Sequence, residues 1–229
     1  MEKYTYLLVD FFCISIPFIF SFHPKLKFIK QWRHFVVPCL ATASFFLIWD
    51  ILFTCHGVWS FNSKKVIGIY FFNLPVEELL FFICIPYACL FTYHAISLFV
   101  KIKSYTKPTS IFSIFLILCL VLTAVLHIKQ LYTSVTFFLL AIMFIFILFK
   151  KVNWLTHFYF SFLLILIPFF ISNGVLTGSW IDAPVVIYND RYNLGIRLLT
   201  IPLEDIFYGM LLFLMNVNGF EFSKRKFIS

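Results

Sequence analysis

Seven long apolar runs, separated by short polar stretches, set the pattern of this 229-residue chain. The first, Tyr4 to Phe22, follows Lys3 and is interrupted by Asp10 and Pro17. It lacks a small-residue cleavage site before its basic flank, so it reads as a retained span and not as a signal peptide. The others are Phe35 to Phe53, Pro75 to Val100, Ile111 to Leu126, Tyr132 to Phe149, Trp154 to Ile171 and Pro202 to Val217. Each is close to the roughly twenty residues that a helix needs to cross a bilayer. Asn73 is expected to cap the third helix and Pro86 to kink it. Asn173-Gly174 is expected to end the sixth, and Trp59 and Phe61 suit the membrane interface. The pattern predicts an all-α membrane protein with seven transmembrane helices.

Two of these helices open on the same short string. Leu74-Pro75-Val76-Glu77-Glu78-Leu79-Leu80 is echoed 127 residues later by Ile201-Pro202-Leu203-Glu204-Asp205-Ile206-Phe207. At the same offset Phe61-Asn62-Ser63-Lys64 matches Tyr188-Asn189-Asp190-Arg191, and Gly68-Ile69 matches Gly195-Ile196. Matching flanks in register mark an internal duplication. Three spans per copy is an odd number, so two parallel copies need one further helix to carry the chain back across. The division expected is residues 1–100, a linker at 101–131 containing the fourth span, and residues 132–229.

Composition agrees with a bilayer as solvent. The chain is 62% hydrophobic and 12% charged, about half the charge of a soluble domain. Its net charge of +8 comes from lysines clustered between apolar runs, with no basic face interleaved with aromatics, so no nucleic-acid partner is expected. Lys3, Lys64, Lys65, Lys129, Arg191 and Arg197 fall on one side, and the other twelve of the eighteen basic residues fall on the opposite side. That excess predicts a multi-pass protein of the cell membrane with its C-terminus cytoplasmic and its N-terminus outside. The six cysteines form no C-x-x-C pair and read as small packing residues.

The candidate chemistry lies in the duplicated acids. Carboxylates in a helix's first turn favour its dipole, which is the structural reading. Two consecutive acids, repeated in front of an apolar run, point beyond that reading, because ionisable groups at membrane depth are expensive and tend to face a bundle interior. Burial and like charge favour a carboxyl's protonated form, whereas a helix N-terminus favours the ionised form, so such a set can both give and take a proton. Glu77, Glu78, Glu204 and Asp205 are therefore the catalytic candidates, with Asp50, Asn62, Asn189 and Arg197 in supporting roles. The seven glycines contain no G-x-G and the histidines no H-E-x-x-H, so neither a nucleotide cofactor nor a metal is expected. His94 and His157 read as interfacial or core residues. The 34 phenylalanines could line a pocket for a cation, but abundance alone assigns none of them.

These residues resemble the small membrane lycopene cyclases of bacteria and fungi. Trp49-Asp50, Thr54-x-x-Gly57-Val58-Trp59-Ser60-Phe61-Asn62 and the Leu74 to Phe82 string look like that family's first half. Asn173-Gly174-x-Leu176-Thr177-Gly178, Pro184-Val185-Val186-x-Tyr188-Asn189, Gly195-Ile196-Arg197 and Thr200 to Asp205 look like its second. The family occurs as two subunits or as one fused chain, and this chain resembles the fused form. One departure is His94, where the resemblance would put an acid after Phe91-Thr92-Tyr93.

The resemblance implies a β-cyclase that isomerises lycopene without a cofactor. The terminal alkene of a linear ψ end group is protonated, the neighbouring double bond attacks the cation, and loss of a proton leaves a β-ionone ring. A dry pocket must keep water from the cation. Membrane lipid and other enzymes of carotenoid synthesis are the expected neighbours. Two rivals stand beside this reading: a cyclase of longer, hydroxylated C50-type carotenoids, and a proton-coupled transporter, a class in which duplicated halves with buried acids recur. A retinal protein needs a lysine inside the last span, and Pro202 to Val217 contains none.

Overall fold

Chains that cross hydrocarbon must satisfy every backbone group internally, and the apolar runs do so as helices. A computed structural model describes residues 2–101, 103 and 106–226. Among them are seven helices long and apolar enough to span a membrane. They are α1 (Thr5–Phe20), α2 (Trp32–Cys55), α3 (Val76–Phe99), α4 (Thr106–Leu126), α5 (Leu131–Phe149), α6 (Leu155–Thr177) and α7 (Leu203–Lys226).

Several ends differ from the expected ones. Helix α6 runs through Asn173-Gly174 to Thr177 and stops at Gly178, whose φ of 100° is the left-handed geometry of a helix C-terminus. Gly174 serves packing instead, since a Cβ there would lie 2.5 Å from the Trp180 ring. Pro75 occupies the N-cap position of α3 without a side-chain cap. Asn73 turns away and donates to the Ile51 carbonyl at 2.9 Å. Helix α7 continues past Val217 through Lys224, Arg225 and Lys226, cations that favour a helix C-terminus.

The duplication is visible atom by atom. Strands β1 (Trp59–Phe61), β2 (Tyr70–Phe71) and β3 (Leu74–Pro75) recur 127 residues on as β4 (Val186–Tyr188), β5 (Arg197–Leu198) and β6 (Ile201–Pro202). The β2–β3 and β5–β6 hairpins turn through equivalent residues of positive φ, Phe72 and Leu199. Strands β1 and β4 pair antiparallel with each other, and Ser60 faces Ile187, its own counterpart. A pseudo-twofold axis therefore passes through that pair. The two halves interlock: α2 packs on α7 as well as on α3, and α6 packs on α3 as well as on α7. Helix α4 packs on α5 and α6 and keeps Ile111, Phe115, Leu118 and Leu122 exposed, as a lipid-facing return helix should.

Candidate active site

Adjacent residues on a helix point about 100° apart, so the two acids of each pair cannot face the same way. Glu77 turns toward its own loop, where its Oε1 accepts the Ile67 N–H at 2.6 Å. Glu204 repeats this with the Leu194 N–H at 2.8 Å and adds the Thr133 hydroxyl at 2.6 Å. Ile67 and Leu194 are themselves 127 residues apart, so one brace has been copied twice. Neither acid lines the central cavity.

Glu78 and Asp205 do line it. The Tyr6 hydroxyl, from α1, donates to Glu78 at 2.6 Å, and the Tyr132 hydroxyl, from α5, donates to Asp205 at 2.6 Å. Beyond that shared tyrosine the halves differ. Asp50, near the end of α2, lies within hydrogen-bonding range of Glu78, and its Oδ1 accepts the Tyr208 hydroxyl at 2.8 Å. In the second half Asn173 donates to Asp205 at 2.7 Å, and Tyr188 donates at 2.9 Å. Burial first, and then the neighbouring Asp205, hold the Tyr188 hydroxyl well above the usual phenol range, so it remains a donor.

The two sites therefore hold their carboxyls differently. Two facing carboxyls out of water are mutually compatible when they share a proton, as in aspartic-protease dyads. A single carboxyl that accepts three neutral hydrogen bonds is arranged for the ionised form. Both sites open on one cavity of about 160 Å³ between α3 and α6. Its walls are largely aromatic and aliphatic, with Trp59, Phe81, Phe162, Phe169 and Phe213 among them. Trp59, expected at the membrane interface, is buried there instead, because the β1–β4 pairing draws it inward.

The remaining candidates brace the loops. Asn62 donates to the Pro184 carbonyl and Asn189 to the Gly57 carbonyl, each at 3.2 Å and each the other's counterpart. Arg197 pairs with Asp190, donates to the Thr200 carbonyl at 2.9 Å and stacks 5.9 Å from the Tyr188 ring centre. Burial opposes ionisation of Asp190, but hydrogen bonds from Asn193 and Arg197 hold its carboxyl below the usual range. His94 is buried far from the acids and contacts the Leu26 carbonyl at 2.9 Å.

Tyr6, Tyr132, Asn173, Tyr188 and Tyr208 were not among the sequence candidates for the site, although Asn173 and Tyr188 stand in the quoted motifs. A signal existed for two of them: at the 127-residue offset Tyr188 faces Phe61 and Tyr208 faces Phe81, so a hydroxyl is present in one copy alone.

A family model described as lycopene cyclase matches residues 3–96 and 129–223, one segment for each half. No curated protein and no solved structure matches the chain. The match covers most of the chain and both acid helices with their loops. With seven helices of membrane-spanning length around a buried acid-lined cavity, the chain belongs to the lycopene cyclase family and is a multi-pass membrane carotene cyclase.

Proposed function

We propose that the chain is a lycopene β-cyclase in which the Asp50–Glu78 pair is the acid and Asp205 is the base. The observation that carries this reading is the asymmetry of the two sites: a facing carboxyl pair on one side and a triply hydrogen-bonded carboxylate on the other, in one apolar cavity. The cavity lining follows α3 from Glu78 to Thr92, about 21 Å at 1.5 Å per residue, which suits a polyene lying along the helix with its ψ end at the acids. The shared proton goes to the terminal alkene carbon. The tertiary cation is attacked by the next double bond, and Asp205 takes the proton whose loss leaves the β-ring double bond. Aromatic faces favour the cation, and a largely apolar lining disfavours the water that would hydrate it. Glu77 and Glu204 hold the loops that carry the site and take no part in proton transfer.

Expression in a lycopene-accumulating host tests the assignment. Pigment chromatography should show lycopene replaced by cyclic carotene. Unchanged lycopene would count against it and move the test to longer hydroxylated carotenes or to proton transport.

Orientation belongs to the same proposal, with the acid-bearing ends of α3 and α7 on the outer side of the cell membrane. A reporter joined to the C-terminus should be active in the cytoplasm, and one inserted near Asn189 should be active outside. Activity of both on one side would overturn the seven-span arrangement.

A further inference from the structure

The duplication has a second register, between α2 and α6. Phe46, Ile48 and Thr54 match Phe169, Ile171 and Thr177 at an offset of 123, and Asp50 then matches Asn173. The offset grows to 127 beyond the helices because Thr177 lies eleven residues before Tyr188, whereas Thr54 lies seven before Phe61. Geometry agrees with this register: Asn173 sits beside Asp205 as Asp50 sits beside Glu78, and all four line the cavity.

In that register Trp49 corresponds to Ser172, and the difference explains why the bundle has one groove and not two. Trp49 is buried where α2 meets α7, with its ring 5.0 Å from that of Tyr208 and 5.5 Å from that of Phe46. Its indole N–H has no hydrogen-bond partner, so what the ring contributes there is bulk. Ser172 holds the equivalent place where α6 meets α3. It lines the cavity together with Phe81, the counterpart of Tyr208, and its hydroxyl donates to the Pro168 carbonyl of its own helix at 2.9 Å. A serine in place of an indole leaves room for the cavity.

The groove is bridged at both ends and open along one side. Toward the loops Trp59 and Val186 of the β1–β4 pair line it. At the opposite end of the bundle the His157 ring of α6 packs 4.7 Å from the Tyr93 ring of α3. Between these ends Pro168 both lines the cavity and is exposed on the surface of the bundle, so the cavity reaches the outside there. Leu164, Ile167 and Ile171 around it are exposed and apolar, which marks a lipid-facing surface. On α1, Cys13 lines the same cavity and its neighbours Phe12 and Ile16 are exposed. Pro168 is five residues from Asn173, about 8 Å along the helix, which places the opening within the hydrocarbon and close to the acids. An interior proline and a serine bonded four residues back both disturb the straight course of a helix, and α6 carries the two together at this level.

We infer that this side opening is where the carotene passes from the bilayer into the site, with Ser172 keeping its groove open by being small and Trp49 keeping the twin groove shut. The inference rests on the cyclase reading above. A polyene dissolved in hydrocarbon then reaches the acids without crossing water: its ψ end passes Pro168 and Ser172, and the rest of the chain follows. Because the twin groove is filled, one ψ end is held at a time, and Glu78 and Asp205 both face it. Ser172 takes no proton; it decides what fits.

Side-chain size at position 172 and lipid access to the groove are separate tests. Ring formation from lycopene should fall in order of volume from Ser172→Ala through Ser172→Leu to Ser172→Trp, the last reduced roughly tenfold or more because the ψ end no longer reaches its reactive position. Ile171→Trp, on the exposed face next door, should form rings at the unmodified rate and shows that α6 accepts an indole at this depth. Ser172→Leu supplies the comparison if Ser172→Trp fails to insert. The second test uses vesicles of a phospholipid with a photoreactive diazirine in the middle of its acyl chain. Irradiation should label the α3 peptide at Ile85 and Cys89, which line the groove. That label should be lost when lycopene is added to the Glu78→Gln variant, which cannot consume it, while Phe115 and Leu118 on α4 stay labelled. Activity that does not follow volume at position 172, or groove labelling that is absent or unchanged by lycopene, would overturn the side entrance and leave the cyclase reading intact. Absence of rings from the unmodified protein would overturn the cyclase reading and this inference with it.

Discussion

Glu78→Gln is expected to cut ring formation by roughly 10²- to 10⁴-fold with the bundle intact, the usual contribution of a positioned general acid. Glu77→Gln should keep most of the activity. At position 78 the amide cannot share a proton with Asp50, and its NH₂ group offers no acid to an alkene. Tyr6 can still donate to the amide oxygen, so the local fold survives. At position 77 the contact that matters is the Ile67 N–H on Oε1, and an amide oxygen accepts it equally well. The other oxygen, Oε2, has no partner, so an NH₂ group placed there adds an unpaired buried donor. That costs about 1–3 kcal/mol of stability but no chemistry. Pigment analysis with membrane-fraction immunoblots reads both variants. An inactive, well-inserted Glu77→Gln beside an active Glu78→Gln would return the chemistry to the first acid of each pair.

Rings formed in heavy water should each carry one solvent-derived deuterium, against none in ordinary water. Protonation converts the terminal alkene CH into a CH₂ group, and the proton lost at the end leaves from a different carbon, so the label is retained at that CH₂. The deuterium count follows from the donor, because carboxyl protons exchange with water whereas C–H hydrogens of the substrate do not. Mass spectrometry of the product decides the matter. Rings without deuterium would mean that hydrogen moves within the substrate or comes from a carbon-bound donor, and the carboxyl pair would lose its assigned role.

Most of the fold could be read from the apolar runs because length and hydropathy suffice to specify a spanning helix. Helix ends were less legible. Asn173-Gly174 has the composition of a stop, yet helix geometry there is what lets Asn173 reach Asp205 and Gly174 sit beneath Trp180. The duplicated acids drew attention to the first turn of α3 and α7 but not to its two faces. Helical geometry held that information, since neighbours in sequence cannot share a direction. Tyr6 and Tyr132 were harder to find. Their role depends on contacts between α1 and α3 and between α5 and α7, which no local pattern encodes. Asp10 stands in the sequence as an interruption of an apolar run, and only the structure shows it buried without a hydrogen-bond partner.

During synthesis α2 enters the bilayer long before α7 exists, yet α7 is one of the helices against which it packs. Strand β1 likewise waits for β4, made more than a hundred residues later. The first half therefore cannot complete its folding on its own, and two of its five carboxyls, Asp50 and Glu78, stay without their finished enclosure until the last helix is inserted. A chain released by the ribosome before α7 is made lacks Asp205 and Tyr208, and with them one wall of the acid-lined cavity.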